Sequence, residues 1–213
     1  MKDLIKGRFP ELSGAQIDRI LGFYEAMKAE NEVQNLTRLI SPADFIDGHL
    51  QDAVELLKTG FLTYPAMDLG SGGGVPGLLC AAIDPNPWFL VDSEKRKADF
   101  LGRAAHSLGL DDVQAVPERA EAFLQEETVG CITARAVGTV EKILSWIAVC
   151  STWNKLILLK GPGWKEEWEN LQKSRFRRDL VIEATHEYSV GPENKQRVIV
   201  LLKRVPRGTK ALR

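Results

Sequence analysis

The residues best suited to chemistry lie in a glycine-rich turn between a predicted strand and a predicted helix. A short apolar run ends at Asp68, and glycines dominate the segment 70–77 that follows. Glycine tolerates positive φ and has no side chain, so main-chain amides in such a turn can approach a ligand closely. Pro76 suits the first turn of a helix. This order of elements is typical of a site for a nucleotide-like ligand.

Two glycine patterns overlap in this turn and indicate different ligands. Gly72, Gly74 and Gly77 have the spacing of the dinucleotide fingerprint. Asp68, Gly70, Gly72 and Gly74 have the spacing of the first motif of methyltransferases that use S-adenosylmethionine (AdoMet). A glycine turn that binds nothing is the plain alternative, since such motifs are weak evidence alone.

A carboxylate at Asp92 favours a nucleoside ligand. It ends the strand-like run 88–91, about 20 residues beyond the turn, where an acid can accept hydrogen bonds from ribose hydroxyls. The alternative is a helix cap, because Asp92 and Ser93 precede a predicted helix.

Composition predicts an ordinary soluble protein. The chain has 213 residues, 44% hydrophobic content and a net charge of −1, and no apolar run is long enough for a membrane span. The N-terminal residues lack the apolar core of a signal peptide, and the three scattered cysteines show no metal-ligand spacing. We therefore expect a cytoplasmic monomer with no metal and no membrane partner.

The element pattern predicts two parts. Residues 1–64 are expected to form a helical N-terminal cap, with a capping box at Ser13 and a second helix over 43–58. Residues 65–213 alternate strand and helix, which predicts a parallel α/β sheet with right-handed crossovers. The predicted strands are 66–69, 88–92, 113–116, 131–135 and 155–160, and the predicted helices are 77–83, 95–108, 118–125, 139–150 and 165–173.

The end of the chain predicts a hairpin instead of a further crossover, with strands at 180–188 and 197–203. Five parallel units closed by a hairpin resemble the Rossmann-like, seven-stranded sheet of AdoMet-dependent methyltransferases, whose last strand inserts antiparallel. A second mononucleotide-binding half, needed for a full dinucleotide fold, is absent from this pattern. The fold therefore favours AdoMet over NAD.

Several segments of the chain have a distinctive spelling: Asn35-Leu36-Thr37, His49 with Asp52, the loop from Asp68 to Gly77, Asp92-Ser93, Arg135-Ala136 and Leu159-Lys160-Gly161. Together they resemble one family, the RsmG (GidB) type of bacterial 16S rRNA guanine-N7 methyltransferase. The similarity runs from about Ile17 to Lys203, and Glu30, Gly73 and Val75 depart from the residues common in that family.

The resemblance implies an AdoMet-dependent enzyme that methylates N7 of a guanine in the decoding region of 16S rRNA, at nucleotide 527. Its partner is then 16S rRNA or the 30S particle. Guanine N7 has a lone pair and no proton, so attack needs no general base, and we assign no catalytic residue. The expected cofactor contacts are Gly70, Gly72, Gly74, Val75, Asp92, Ala120, Glu121 and Arg135.

Basic residues predict where RNA binds. Arg135 and Lys160 end strands at the edge where ligands bind, although a surface ion pair or a snorkelling lysine would also explain them. Trp164 is a candidate for base stacking, whereas Trp146 is expected in the core. The remaining candidates are Lys165, the acid-free cluster of Lys173, Arg175, Arg177 and Arg178, and a basic tail that includes Arg207, Lys210 and Arg213.

His49 and Asp52, three residues apart on a predicted helix, are interpreted as a structural link between the cap and the glycine loop. Three other functions stay open. The methyl acceptor can be a different RNA, a small molecule or a protein; the enzyme can be an NAD(P)-linked oxidoreductase; or the chain can be an RNA-binding module without activity.

Overall fold

The computed structural model describes residues 1–178 and 180–205. It has a seven-stranded sheet in the order β3-β2-β1-β4-β5-β7-β6. The strands are β1 Ala66–Leu69, β2 Trp88–Val91, β3 Val113–Val116, β4 Cys131–Arg135, β5 Lys155–Lys160, β6 Leu180–Val190 and β7 Lys195–Arg204.

The strands pair as the sequence predicts. The first five are parallel, and β7 lies antiparallel between β5 and β6. The strand order reverses between β1 and β4, which creates the crevice at the carboxyl edge where ligands bind in open α/β sheets.

Helices cover both faces of the sheet, and the crossover helices agree with the prediction within three residues at each end. The helix predicted over 139–150 ends earliest, at Ile147. The crossover helices are α5 Gly77–Ile83, α6 Lys95–Ser107, α7 Ala120–Glu126, α8 Val140–Ile147 and α9 Trp164–Leu171.

The N-terminal segment is helical up to Lys58, but it is interrupted where one helix was predicted over 43–58. The helix α3 Pro42–Phe45 runs into a π-helical turn, Ile46–Leu50, before α4 Gln51–Lys58. A π turn widens the helix locally and often occurs at functional sites. Before it stand α1 Lys2–Arg8 and α2 Gly14–Gln34, and the predicted capping box joins Ser13 and Gln16.

Two apolar clusters hold these layers together. One unites the N-terminal helices and α5–α6 with one face of the sheet, and the other packs α7–α9 on the opposite face. The N-terminal helices thus share a core with the sheet. In the described residues no helix is long and apolar enough to cross a membrane.

A buried ion-pair network ties the N-terminal helices to the carboxyl edge. Asp52, 1% exposed, forms ion pairs with Arg135 of β4 and Arg197 of β7. Its other oxygen accepts a 2.8 Å hydrogen bond from the hydroxyl of Tyr188 on β6. One carboxylate of α4 therefore joins three strands.

We predict that Asp52→Ala lowers the free energy of unfolding by about 3–5 kcal/mol, because it leaves two largely buried guanidinium groups without their counter-ion. Urea unfolding measures the loss. Asp47→Ala is the matched control, since Asp47 lies on the π turn and, among the described residues, forms a single ion pair, with Arg8 at 4.0 Å; its cost should stay below about 1 kcal/mol. Equal losses in the two variants would contradict this role for Asp52.

Candidate functional site

Asp68 holds the glycine loop in shape. It is 1% exposed, and its Oδ2 accepts hydrogen bonds from the Ser71 hydroxyl at 2.7 Å and the Gly77 amide at 3.0 Å. Its Oδ1 accepts one from the Thr133 hydroxyl at 2.8 Å. Gly77 must lack a side chain, since a Cβ there would lie 2.6 Å from the Asp68 Cβ. The carboxylate therefore joins β1, the loop, α5 and β4.

Burial raises the pKa of the Asp68 carboxyl to about 6, although its three hydrogen bonds oppose that shift. The folded protein thus binds a proton at Asp68 between about pH 4 and pH 6 that the unfolded chain has released. Ionisation of Asp68 therefore lowers stability as the pH rises through this range.

A cleft opens at the carboxyl edge, between the ends of β1, β2 and β3. It encloses about 160 Å³ and holds four of the predicted cofactor residues: Gly70, Asp92, Ala120 and Glu121. Trp146 of α8 lines it as well; it is half-buried and packs against the apolar cluster of α7–α9, so the expectation that it packs in the core is met in part. The other lining residues are Leu69, Val91, Ser93, Glu118, Arg119 and Val137.

Asp92 shapes the cleft through both of its oxygens. Oδ2 accepts a hydrogen bond from the Gly72 amide, and Oδ1 accepts one from the Glu94 amide, each at 2.9 Å. The second bond closes a turn before α6, and it is not the helix cap that the sequence offered as an alternative, because Glu94 is the N-cap residue and α6 has no side-chain cap among the described residues. A carboxylate offers about four acceptor positions, so each oxygen keeps one for a ligand hydroxyl.

A second cavity, of about 280 Å³, lies on the other side of Gly70 and is roofed by the N-terminal segment. Gly72 and Val75 line it, together with Leu36 and His49. Gly74 does not; at φ +87° it packs against Phe23, Leu78 and Leu101. Gly74 thus packs the loop against the apolar core and does not face the cavity.

His49 and Asp52 tie the cap to Arg135 at the end of β4, whereas the sequence led us to expect a link to the glycine loop. Burial, with the positive charge of Arg135 second, lowers the pKa of His49 to about 3, so the imidazole is neutral. Its Nδ1 accepts from Arg135 at 2.9 Å, so Nε2 carries the proton and donates to the Thr37 hydroxyl at 3.1 Å. Thr37 in turn accepts from the Leu39 amide at 3.0 Å.

Arg135 lies between the second cavity and a third one, but its guanidinium is already held. Nε pairs with Asp52 at 3.0 Å, Nη1 with His49, and Nη2 donates to the Gly48 carbonyl at 2.8 Å. The next residue, Ala136, has φ +56°, a strained value that recurs at functional sites. The chain 135–138 thus forms a ridge between the cavities.

The third cavity, of about 400 Å³, lies beyond this ridge above the ends of β4 and β5. Lys160 lines it and pairs with Glu167 of α9 at 2.7 Å, while it also donates to the Gly138 carbonyl at 2.7 Å. Arg197 borders the same cavity.

The structure does not bring all predicted RNA contacts to this edge. Lys165 is 70% exposed near the third cavity, in a groove it shares with Arg197. The exposed residues Arg175, Arg177 and Arg178 precede Leu180, which pairs with Arg204 at the amino edge of the sheet. Six residues of β5 separate these edges by about 17 Å.

Two further RNA candidates have different outcomes. Trp164 is only 8% exposed and packs in the apolar cluster of α7–α9, so the prediction that it stacks on an RNA base is wrong. The tail residues Arg207, Lys210 and Arg213 lie outside the described residues.

Comparison with known proteins decides the family. The profile of the GidB family, described as rRNA small subunit methyltransferase G, matches residues 16–197. The chain belongs to this family. A member from Neisseria gonorrhoeae (strain NCCP11945) is 31% identical over 201 residues, which cover 92% of this chain and 93% of that protein. One from Solibacter usitatus is 30% identical and covers 80% and 82%.

Solved structures show the methyltransferase fold. An O-methyltransferase from Bacillus cereus in complex with S-adenosylhomocysteine (SAH) superposes with a TM-score of 0.56 at 15% identity, covering 85% of this chain and 90% of that one. TrmK from M. capricolum, also with SAH, gives 0.53 at 11% identity and covers 74% and 70%. This chain is a methyltransferase of the GidB family.

Sequence reasoning missed three residues that border the cavities: Trp146, Glu167 and Arg197. Glu167 and Trp146 occupy ordinary helical positions, and Arg197 lies in a strand without a motif. The one signal available for Glu167 was its position: it is an acid seven residues after Lys160, on the next predicted helix, where it could pair with that lysine.

Asp68→Asn should reveal the buried charge. Asparagine keeps an oxygen for the Ser71 and Gly77 donors, and its amide can donate to the Thr133 hydroxyl. We predict that wild type loses about 3 kcal/mol of stability relative to Asp68→Asn between pH 4 and pH 7. Denaturant unfolding of both proteins at several pH values measures this difference. The titration of His49 affects both proteins equally and therefore drops out of the comparison. A difference independent of pH would contradict the assignment.

Proposed function

We propose that this protein transfers the methyl group of AdoMet to N7 of a guanine in small-subunit rRNA, at nucleotide 527. One observation carries the proposal: in a chain whose family profile spans residues 16–197, the cleft at Asp92 and a cavity at Lys160 flank one ridge. Such an arrangement places a cofactor and an acceptor base on either side of the transferred group.

The cleft residues fit the adenosine part of AdoMet. The open acceptor positions of Asp92 face a cleft whose neighbouring strand end supplies Ala120 and Glu121. Gly70 has φ +66°, and a Cβ there would stand 2.9 Å from Val137, so the backbone itself forms the wall. Trp146 provides an aromatic surface for an adenine ring.

The methionine part of AdoMet fits the second cavity, which continues past Gly70 along Gly72 and Val75. Arg135 contributes positive charge there, because Asp52 is one acid shared by Arg135 and Arg197. This excess charge favours the carboxylate of a bound amino acid. Arg135 therefore supports cofactor binding through its charge and by fixing the ridge.

The reaction needs position more than acid–base chemistry. When bound, AdoMet supplies a methyl group that the N7 lone pair takes up as the C–S bond breaks, leaving SAH and a cationic guanine. The residues of the ridge must align the base behind that methyl group. Among the described residues around it, Asp52 and His49 are both held in contacts with Arg135. This supports an acceptor atom that carries no proton.

RNA contacts are proposed on two sides of the sheet. Lys160, Lys165 and Arg135 lie near the ridge, where the target base enters. Arg175, Arg177 and Arg178, at the amino edge, are proposed to hold phosphates of a more distant rRNA segment. An acceptor as large as 16S rRNA or a 30S particle can reach both edges.

Binding of AdoMet should change the fluorescence of Trp146. We predict that AdoMet quenches tryptophan emission in wild type, that Trp146→Phe removes most of this signal, and that Trp146→Ala weakens binding by about 1 kcal/mol, roughly fivefold. Trp168→Phe, at a half-buried position on α9, is the control and should keep the signal. Full quenching in Trp146→Phe would contradict the placement of adenine.

Methyl transfer is tested with purified protein, labelled AdoMet and small-subunit rRNA or 30S particles that lack the modification. Mass spectrometry of the digested RNA should show 7-methylguanosine in the fragment that contains nucleotide 527. The melting temperature should rise with AdoMet and not with NADH. At an AdoMet concentration of 100 times the Kd, binding should add about 2.7 kcal/mol to the free energy of unfolding. A methyl group on another atom, or none with either RNA, would overturn the proposal.

A further inference from the structure

The third cavity contains a donor and an acceptor that the methyl-transfer step does not use. Lys160 at the end of β5 and Glu167 in the first turn of α9 border it, with side chains 11% and 27% exposed. The ridge residues Ala136 and Gly138 form its wall toward the cofactor cleft. A base that enters here would lie against the ridge.

Glu167 is fixed by one oxygen and open at the other. Its Oε2 accepts hydrogen bonds from Lys160 at 2.7 Å and from the Val140 amide at 3.3 Å. Among the described residues, Oε1 accepts no hydrogen bond. The carboxylate is thus held in place by the start of α8 while one oxygen remains available to a ligand.

Lys160 is fixed in a similar way. Its ammonium group donates to Glu167 and to the Gly138 carbonyl, which leaves one of its three N–H groups. The contacts therefore form a chain: the carboxylate of Glu167 on α9 pairs with the ammonium group of Lys160, which in turn contacts the ridge at Gly138.

Guanine presents groups in the matching order. Its N2 amino group and N1–H are neighbouring donors, followed by the acceptors O6 and N7. With the N2 amino group and N1–H both directed at the open Oε1 of Glu167, which has two acceptor positions, and O6 on Lys160, N7 points toward the ridge, which is where the methyl group must arrive. Adenine has an acceptor at N1 and a donor at C6, so it would place a lone pair against the carboxylate.

We propose that the Lys160–Glu167 pair reads the Watson–Crick edge of the target guanine and selects it over other bases. This inference rests on the proposed function, because it takes guanine as the methyl acceptor. Enzymes that modify a base commonly extrude it and read that edge in a pocket. After transfer the base is cationic, and the carboxylate also stabilises that charge.

The test compares two RNAs that differ in one atom group. One is a small-subunit rRNA fragment that wild type methylates, and the other carries inosine at the target position, which lacks the N2 amino group. We expect kcat/KM of wild type to be at least about tenfold higher for guanine, the effect of one hydrogen bond to a charged acceptor. In Glu167→Ala this preference should fall to about twofold or less.

Two further variants separate recognition from folding. Glu167→Gln keeps a neutral acceptor and should retain an intermediate preference of a few fold. Glu166→Gln, at an exposed neighbouring position in the same helical turn, should keep the wild-type preference. The Kd for AdoMet should stay unchanged in all variants, since the cofactor cleft does not include Glu167.

The outcomes distinguish this inference from the function on which it rests. If Glu167→Ala and Glu167→Gln keep the wild-type preference, or if wild type does not discriminate, base reading by Glu167 is overturned while methyl transfer stands. If no small-subunit rRNA fragment that contains the target guanine is methylated by wild type, the proposed function itself fails. Any intrinsic difference in N7 reactivity between the two bases cancels when the preferences of the variants are compared.

Discussion

The site depends on one buried carboxylate. Asp52 is 1% exposed, yet it forms ion pairs with Arg135 and Arg197 and accepts a hydrogen bond from Tyr188. An isolated charge in such a place would be strongly unfavourable, so all partners must be present together. These contacts fix α4 against β4, β6 and β7, and Arg135 fixes the start of the ridge that divides the cavities.

A second buried acid, Asp68, fixes the backbone of the glycine loop, as Asp52 fixes the start of the ridge. It binds the loop at Ser71, the start of α5 at Gly77 and the neighbouring strand at Thr133. The cofactor cleft lies between these two fixed pieces of backbone. This explains why several of the conspicuous motif residues have structural tasks: Gly74 packs against apolar side chains, and His49 is a neutral link between Arg135 and Thr37.

The fold and the features set by local sequence were predictable, and the pairings between side chains of distant elements were not. The glycine loop, Asp92 and the parallel strands follow from spacing that neighbouring residues determine. The pairing of Lys160 with Glu167 and of Asp52 with Arg197 depends on which elements meet in space. The basic cluster at Arg175 was assigned to the site because the sequence does not show at which edge of the sheet the segment before β6 lies. Trp164 was misjudged because its helix begins with its apolar side against the core.

The most direct test of this account is a structure of the protein with SAH and an rRNA fragment that contains the target nucleotide. The account predicts that the ribose of SAH lies at Asp92, that an extruded guanine lies between the ridge and Glu167, and that its N7 faces the SAH sulfur. A base bound outside the Lys160 cavity, or SAH bound away from Asp92, would contradict it.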